Sequence, residues 1–154
     1  MESGVSVIRI ASTPHPSPAS RNYCIPGTLD LKCDMATVRL FTTNLTKSIN
    51  FYGSVLGFVK IEQWGAAFAI VRRGDLDLWL SGPQTSAAKP WEDGTVPIPG
   101  GFTRIVLPLP DVIELGELVD KHGGRIANGP LEGPGGVQLI VLDPDGNSIE
   151  FFEG

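Results

Sequence analysis

Basic clusters, histidines and cysteines are scarce in this chain, and each shortage removes a class of function. Its 154 residues carry 12 Lys and Arg against 17 Asp and Glu, a formal net charge of −5. No Lys/Arg run offsets that balance, so no nucleic-acid partner is expected. No apolar run approaches the ~20 residues that cross a bilayer, so no membrane partner is expected either. The stretch Val5-Ser-Val-Ile-Arg-Ile-Ala is too short, and lacks the basic flank, for a signal peptide. Cys24 and Cys33 lie nine positions apart outside the patterned part of the chain. They favour a reducing cytoplasm over a structural disulfide. There is no Gly-x-Ser-x-Gly elbow, no dinucleotide fingerprint and no Cys/His pair after residue 35. The Gly-rich piece Gly129-Pro-Leu-Glu-Gly-Pro-Gly-Gly136 lacks the Lys-Ser/Thr of a phosphate loop and opens no helix; it reads as a hairpin-type rim loop.

What is present begins near Met35. Residues 1–34 are Ser/Pro-rich without apolar period and read as a mobile N-terminal extension, with Val5 to Ile10 as an alternative edge strand. Removing them is expected to leave the fold nearly unchanged. Residues 35–154 read as one domain, long enough at 42% hydrophobic content for a single core.

Within that domain the pattern repeats. Thr37 to Asn44 alternates as a strand does, and Leu45 to Leu56 then reads helical, with Ile49, Tyr52 and Leu56 on one face. Arg104 to Asp111 alternates likewise. Val112 to His122 reads helical, with Leu115, Leu118, Val119 and His122 at helical spacing and Asp111/Glu114 as a capping box. Thr37 to Arg104, Asn44 to Asp111 and Gly57 to Gly124 are each 67 positions apart. Three candidate strands follow each helix: Val59–Trp64, Ala66–Arg72 and Leu76–Ser81, then Arg125–Ala127, Val137–Leu142 and Ser148–Glu153. Both halves read β-α-β-β-β, at about 36–82 and 102–154, joined by a Pro-rich connection at 83–101. So long a structureless connection suggests a functional one, crossing between subunits or folding over a site.

The chain closes on Asp143-Pro-Asp-Gly-Asn-Ser-Ile-Glu-Phe-Phe. Asp-Pro-Asp-Gly is strong turn chemistry. The strand after it sets Glu150 between apolar neighbours, where a carboxylate sits at a sheet edge or faces a cavity with a partner. This ending, the repeated module and Phe51-Tyr-Gly-Ser-Val-Leu-Gly-Phe58 together resemble the vicinal oxygen chelate superfamily. That is the glyoxalase, bleomycin-resistance protein and extradiol dioxygenase group. The resemblance covers about 36–154. It implies an α+β fold of two βαβββ modules whose curved mixed sheets form a cup. It also implies a homodimer, since members commonly pair modules across a two-fold axis.

By the same resemblance, metal-dependent members carry His, Gln or Glu at four inward strand positions. Those positions fall here on Thr37, Trp79, Arg104 and Glu150. Only Glu150 suits a metal; Thr37 is a poor ligand, Trp79 is none, and Arg104 repels a cation. No metal and no cofactor is therefore expected. The candidate ligand-binding residues are Thr37, Arg39, Trp64, Trp79, Trp91, Arg104 and Glu150, with Arg104 and Glu150 placed to pair. Phe68 and Phe102 are assigned to the core. The expected function is binding of an apolar or aromatic small molecule in the cup. The alternative is a lyase, isomerase or dioxygenase of the same fold, with Glu150 as metal ligand or general base.

Overall fold

The computed structural model describes residues 37–154; Val5 to Ile10, His15, Cys24 and Cys33 lie outside the described residues. The first module runs β1 (Thr37–Phe41), α1 (Leu45–Ser54), β2 (Val59–Trp64), β3 (Phe68–Arg73) and β4 (Leu76–Ser81). A connection with a single 3-10 turn at Ser86–Ala88 leads to β5 (Arg104–Pro108), α2 (Val112–Lys121), β6 (Arg125–Gly133), β7 (Gly136–Leu142) and β8 (Ser148–Glu153). Each module makes a four-stranded sheet, in the orders β1-β4-β3-β2 and β5-β8-β7-β6. The first and last strands of each module pair in parallel and the others antiparallel, so both sheets are mixed.

The repeat is visible residue by residue. β1 and β5, and likewise α1 and α2, start and stop 67 positions apart. Both helices open on a side-chain cap at the same repeat position. Asn44 accepts from the Lys47 N–H at 3.0 Å, and Asp111 accepts from the Ile113 and Glu114 N–H groups at 2.9 and 3.0 Å. Such caps satisfy amides that have no partner inside the helix.

Period-two alternation sends one face of each sheet to the interior. Ala69 and Val71 of β3 and Leu78 and Leu80 of β4 pack with Phe51 and Tyr52 of α1, both fully buried. Leu139, Val141, Ile149 and Phe151 do the same in the second module with Leu115 and Val119 of α2. All belong to one apolar cluster shared by both modules. Burying each large side chain contributes about 1.5–3 kcal/mol against its exposed state.

The Asp143–Asn147 segment joins the modules. Asp143 Oδ1 accepts from the Asp145 and Asn147 N–H groups, and its Oδ2 accepts from the Tyr52 hydroxyl of α1 at 3.1 Å. Asp145 accepts hydroxyl hydrogen bonds from Thr42 and Thr43, just before α1. Asn147 Nδ2 donates to the Phe41 carbonyl at 3.0 Å. Gly146 closes the turn at φ 87°, a conformation side chains resist. Gly124 marks a second close approach: a Cβ there would lie 2.5 Å from the Phe51 ring of the other module.

Three sequence expectations are corrected here. β6 runs to Gly133 instead of stopping at Ala127, because register shifts after Ile126 and Asn128 absorb Gly129 and Pro130 without ending the ladder. The Gly-rich piece is thus a β-hairpin with a tip at 134–135 and longer arms than its composition suggests. Phe102 is not core: it is 93% exposed, because it lies in the connection before β5 and no strand face directs it inward. Phe68 is not core either. It has the parity of Ile70, opposite to Ala69 and Val71, and so falls on the outer face of its sheet.

Candidate functional site

Strand parity brings the candidate residues out on the faces away from the helices, in two groups. In the second module Arg104 stands opposite Ser148, while Glu150 stands opposite Val106 on the neighbouring strand. The two side chains share a face two residues apart, a diagonal that a long side chain spans. Arg104 Nη1 donates to Glu150 Oε2 at 2.8 Å, with side-chain exposures of 38% and 17%. β8 is an interior strand between β5 and β7, so Glu150 is no edge residue.

Beside that pair lies a cavity of about 400 Å³, within the range of small-molecule sites. Its walls are apolar at Ala127, Ile140 and Leu142, with Arg104, Asn128 and Ser148 as the polar side chains. Gly101 and Gly146 bring backbone to its edge and Phe102 stands at its rim. The connection is moored there. Asn147 Oδ1 accepts from the Gly100 N–H at 2.9 Å, and Ser148 Oγ donates to the Gly101 carbonyl at 3.0 Å. One guanidinium, with Asn128 and Ser148 beside it, among apolar walls suits a small, largely apolar molecule bearing an acidic or carbonyl group.

The first module presents the other group. Arg39 is opposite Trp79, and Trp79 is opposite Ile70. One row along, Phe41, Ser81, Phe68 and Trp64 follow one another across the sheet. The Phe68 ring centroid is 5.2 Å from that of Trp64 and 5.6 Å from that of Trp79, the latter edge to face. The Arg39 guanidinium lies 4.9 Å from the Trp79 centroid and donates from Nη1 to Ser81 Oγ at 2.7 Å. Thr37 is exposed and opposite Asp77, whose carboxylate is taken by Arg72 in two bonds of 2.6 and 2.8 Å.

The seven sequence candidates are therefore divided. Arg104 and Glu150 come together beside the cavity; Arg39, Trp64 and Trp79 come together on the first sheet, and Thr37 lies on the same face beside Asp77. Trp91 joins neither group: it is 63% exposed in a turn of the connection, where its N–H donates to the Thr95 carbonyl. Phe68, Ser81 and the cavity residues Asn128, Ile140 and Leu142 were not singled out from sequence. Parity along β3 and β4 carries the signal for Phe68 and Ser81. The bulged strand β6 hides it for Asn128.

The residues do not fit the divalent centre of the metal-dependent relatives. Thr37 is a poor ligand, Trp79 is none, Arg104 carries a positive charge, and Glu150 is engaged by that guanidinium. Among the described residues no three His, Cys, Asp or Glu side chains are grouped to hold a metal ion.

The fold and the sequence agree on the class. The Glyoxalase/Bleomycin resistance protein/Dioxygenase superfamily matches residues 34–151, and the chain belongs to that superfamily. Among solved structures it is similar to a glyoxalase/bleomycin resistance protein/dioxygenase family enzyme from Burkholderia phytofirmans PsJN. That match has TM-score 0.63 and 20% identity, and covers 77% of this chain and 96% of the other. It is also similar to the bleomycin-binding protein of Streptomyces verticillus, solved with copper(II)-bleomycin, at TM-score 0.51, 26% identity and coverage of 77% and 94%. A lactoylglutathione lyase from Agrobacterium tumefaciens aligns at TM-score 0.57 and 20% identity, covering 79% and 93%. No curated protein matches the chain.

Proposed function

We propose that this protein is a metal-independent, cytoplasmic small-molecule-binding member of the superfamily. Its ligand is apolar or aromatic and carries an acidic or carbonyl group held at Arg104. The cavity beside the Arg104–Glu150 pair carries this reading, since one guanidinium is set into walls that are otherwise largely apolar. The bleomycin-binding relative supports a binding role for the fold without fixing the ligand. Turnover is the second reading, supported by Glu150, the carboxylate nearest that guanidinium, as a general base.

The test is native mass spectrometry of the full chain after incubation with a small-molecule extract of its own host. Binding predicts a stoichiometric adduct released unchanged, and its loss in Arg104→Gln. Recovery of a chemically altered molecule selects the enzyme reading, and an adduct indifferent to Arg104→Gln overturns the assignment of the cavity.

A homodimer belongs to the same proposal. Val96, Ile98 and Phe102 of the connection and Val106 of β5, an edge strand among the described residues, are all more than half exposed. A second copy covering this surface would bury apolar area and remove a free strand edge. Sedimentation at micromolar concentration should give twice the chain mass; a monomer would rule the dimer out.

A further inference from the structure

Asn128 is the one asparagine of the chain that precedes a glycine, and the fold fixes that glycine in place. Gly129 has φ 98°, and a Cβ there would lie 2.6 Å from the Gln138 carbonyl oxygen and 3.2 Å from the Leu139 Cα, so no other residue fits. The requirement comes from the register of β6. Asn128 stands opposite Ile140 and Leu131 opposite Gln138, so Gly129 and Pro130 together face Leu139 alone. Pro130 has no N–H to give the ladder, and β6 is an edge strand among the described residues. The backbone around Asn128 and Gly129 is therefore held less tightly than that of a regular interior strand.

The other asparagines among the described residues are guarded against attack by the backbone nitrogen that follows them. Asn44 is engaged as the α1 cap, accepting from the Lys47 N–H, and precedes Leu45. Asn50 lies inside α1, where the N–H of the next residue, Phe51, belongs to the helix ladder. Asn147 is buried, donates from Nδ2 to the Phe41 carbonyl and to Asp143, and precedes Ser148. Asn128 differs on each count. It is exposed on the cavity wall, its side-chain amide has no hydrogen-bond partner among the described residues, and no side chain at 129 shields the attacking nitrogen.

We propose that Asn128 is a site of spontaneous deamidation, which turns one wall of the second-module cavity from neutral to anionic. The Gly129 nitrogen attacks Asn128 Cγ; an N–Cγ bond forms, the Cγ–Nδ2 bond breaks, and ammonia leaves carrying the proton that the nitrogen gave up. Water then opens the cyclic imide at either of its carbonyls, giving aspartate or isoaspartate. The net change consumes water, releases ammonia and involves no redox step. Either product carries a carboxylate on the wall that also presents Arg104. Its effect on binding rests on the function proposed above: the new carboxylate competes for the Arg104 guanidinium and repels an acidic ligand. The cavity thus gains negative charge with the age of the molecule, and no catalyst is needed.

The experiment holds the folded full chain in mildly alkaline buffer for days and maps its digest by mass spectrometry, with isoaspartate read in each peptide by enzymatic carboxyl methylation. The expected result is the mass gain of an NH2-to-OH exchange confined to the peptide that holds Asn128, with isoaspartate in the same peptide. Asn128→Gln, whose imide needs a larger ring, should keep its mass. A synthetic peptide of Arg125–Gly133 gives the rate without the fold. A folded chain that keeps its mass while the peptide converts overturns the proposal, and so does a gain at Asn44, Asn50 or Asn147 instead. Asn128→Asp supplies the product directly, and circular dichroism confirms that it is folded. In calorimetric titrations it should lower the affinity for 2-naphthoate, relative to that for neutral 2-naphthamide, about fivefold. An unchanged ratio overturns the charge effect on the cavity. The mass gain is read without any ligand, so a parent chain that binds neither probe refutes the cavity reading alone.

Discussion

Asp145 and Thr43 stand in different modules, yet the Thr43 N–H donates to Asp145 Oδ1 at 3.0 Å and the Thr43 hydroxyl donates to the same carboxylate. Thr42 and Ser48 add hydroxyl donors to the other oxygen. A carboxylate from the turn before β8 thus satisfies groups at the start of α1, where helix amides have no internal partner and negative charge is favoured. Asp145→Ala should destabilise the protein by about 1–3 kcal/mol, because the buried Thr42 hydroxyl is left without its acceptor. Urea unfolding measures this. A change below ~0.5 kcal/mol would show that the modules are held by the shared apolar core alone.

Protonation pulls the two carboxylates of that turn in opposite directions. Burial pushes the Asp145 carboxyl up, but the hydrogen bonds from Thr42 and Thr43 outweigh it and hold the group below its ordinary range. Its stabilising contribution is therefore present above pH ~4 and lost as pH falls through the lower folded value. Burial raises Asp143 despite the bonds from Asn147, Asp145 and Tyr52. Its contribution is greatest below pH ~4 and is lost as pH rises through the folded value. Asp145→Asn should therefore flatten the acid side of the stability profile, whereas Asp143→Asn should flatten the decline just above pH ~4. An unchanged acid limb in Asp145→Asn would assign acid sensitivity to other groups.

Tyr52 sets an alkaline limit. Burial, then the charge of Asp143, pushes its hydroxyl well above its ordinary value of 10.0. The folded state is favoured below that value and loses this contribution as pH rises beyond it. Tyr52→Phe should remove the alkaline decline, and it should also cost about 1–3 kcal/mol at neutral pH by taking a donor from buried Asp143. Denaturant midpoints from pH 7 upward read both effects.

The Arg104–Glu150 pair separates stability from binding. Arg104 is more than a third exposed, so solvent weakens the pair and Arg104→Ala should cost only about 1 kcal/mol. Replacing both residues with leucine should recover that stability, since two charges no longer need compensation. The same double variant should lose ligand affinity. Undiminished binding would make the pair purely structural.

Elemental analysis after mild purification should find no stoichiometric divalent metal. Thr37, Trp79 and Arg104 are not ligands for one, and Glu150 is already paired. One tightly held Ni, Zn, Fe or Mn per chain would reverse this expectation and favour catalysis.

The sequence alone determined the module, its repetition and the parity of its strands. Leu76, Leu78 and Leu80 against Asp77, Trp79 and Ser81 is a local alternation, and it separates the interior face from the outer one without any knowledge of neighbours. The Arg104–Glu150 diagonal follows from the same parity once β5 and β8 are adjacent. Only the tertiary structure decided what each face meets. Parity states that Trp79 and Glu150 point away from the helices; it does not state that one meets Phe68 and Arg39 and the other a guanidinium beside a cavity. The Asp-Pro-Asp-Gly turn is legible as a turn, yet its tie to Thr42, Thr43 and Tyr52 spans 91 to 103 residues. Phe102 shows the same limit from the other side, apolar by composition and exposed by position. Local pattern encodes which way a side chain points, whereas its partners depend on nonlocal strand pairing and on how the two modules pack through a shared core.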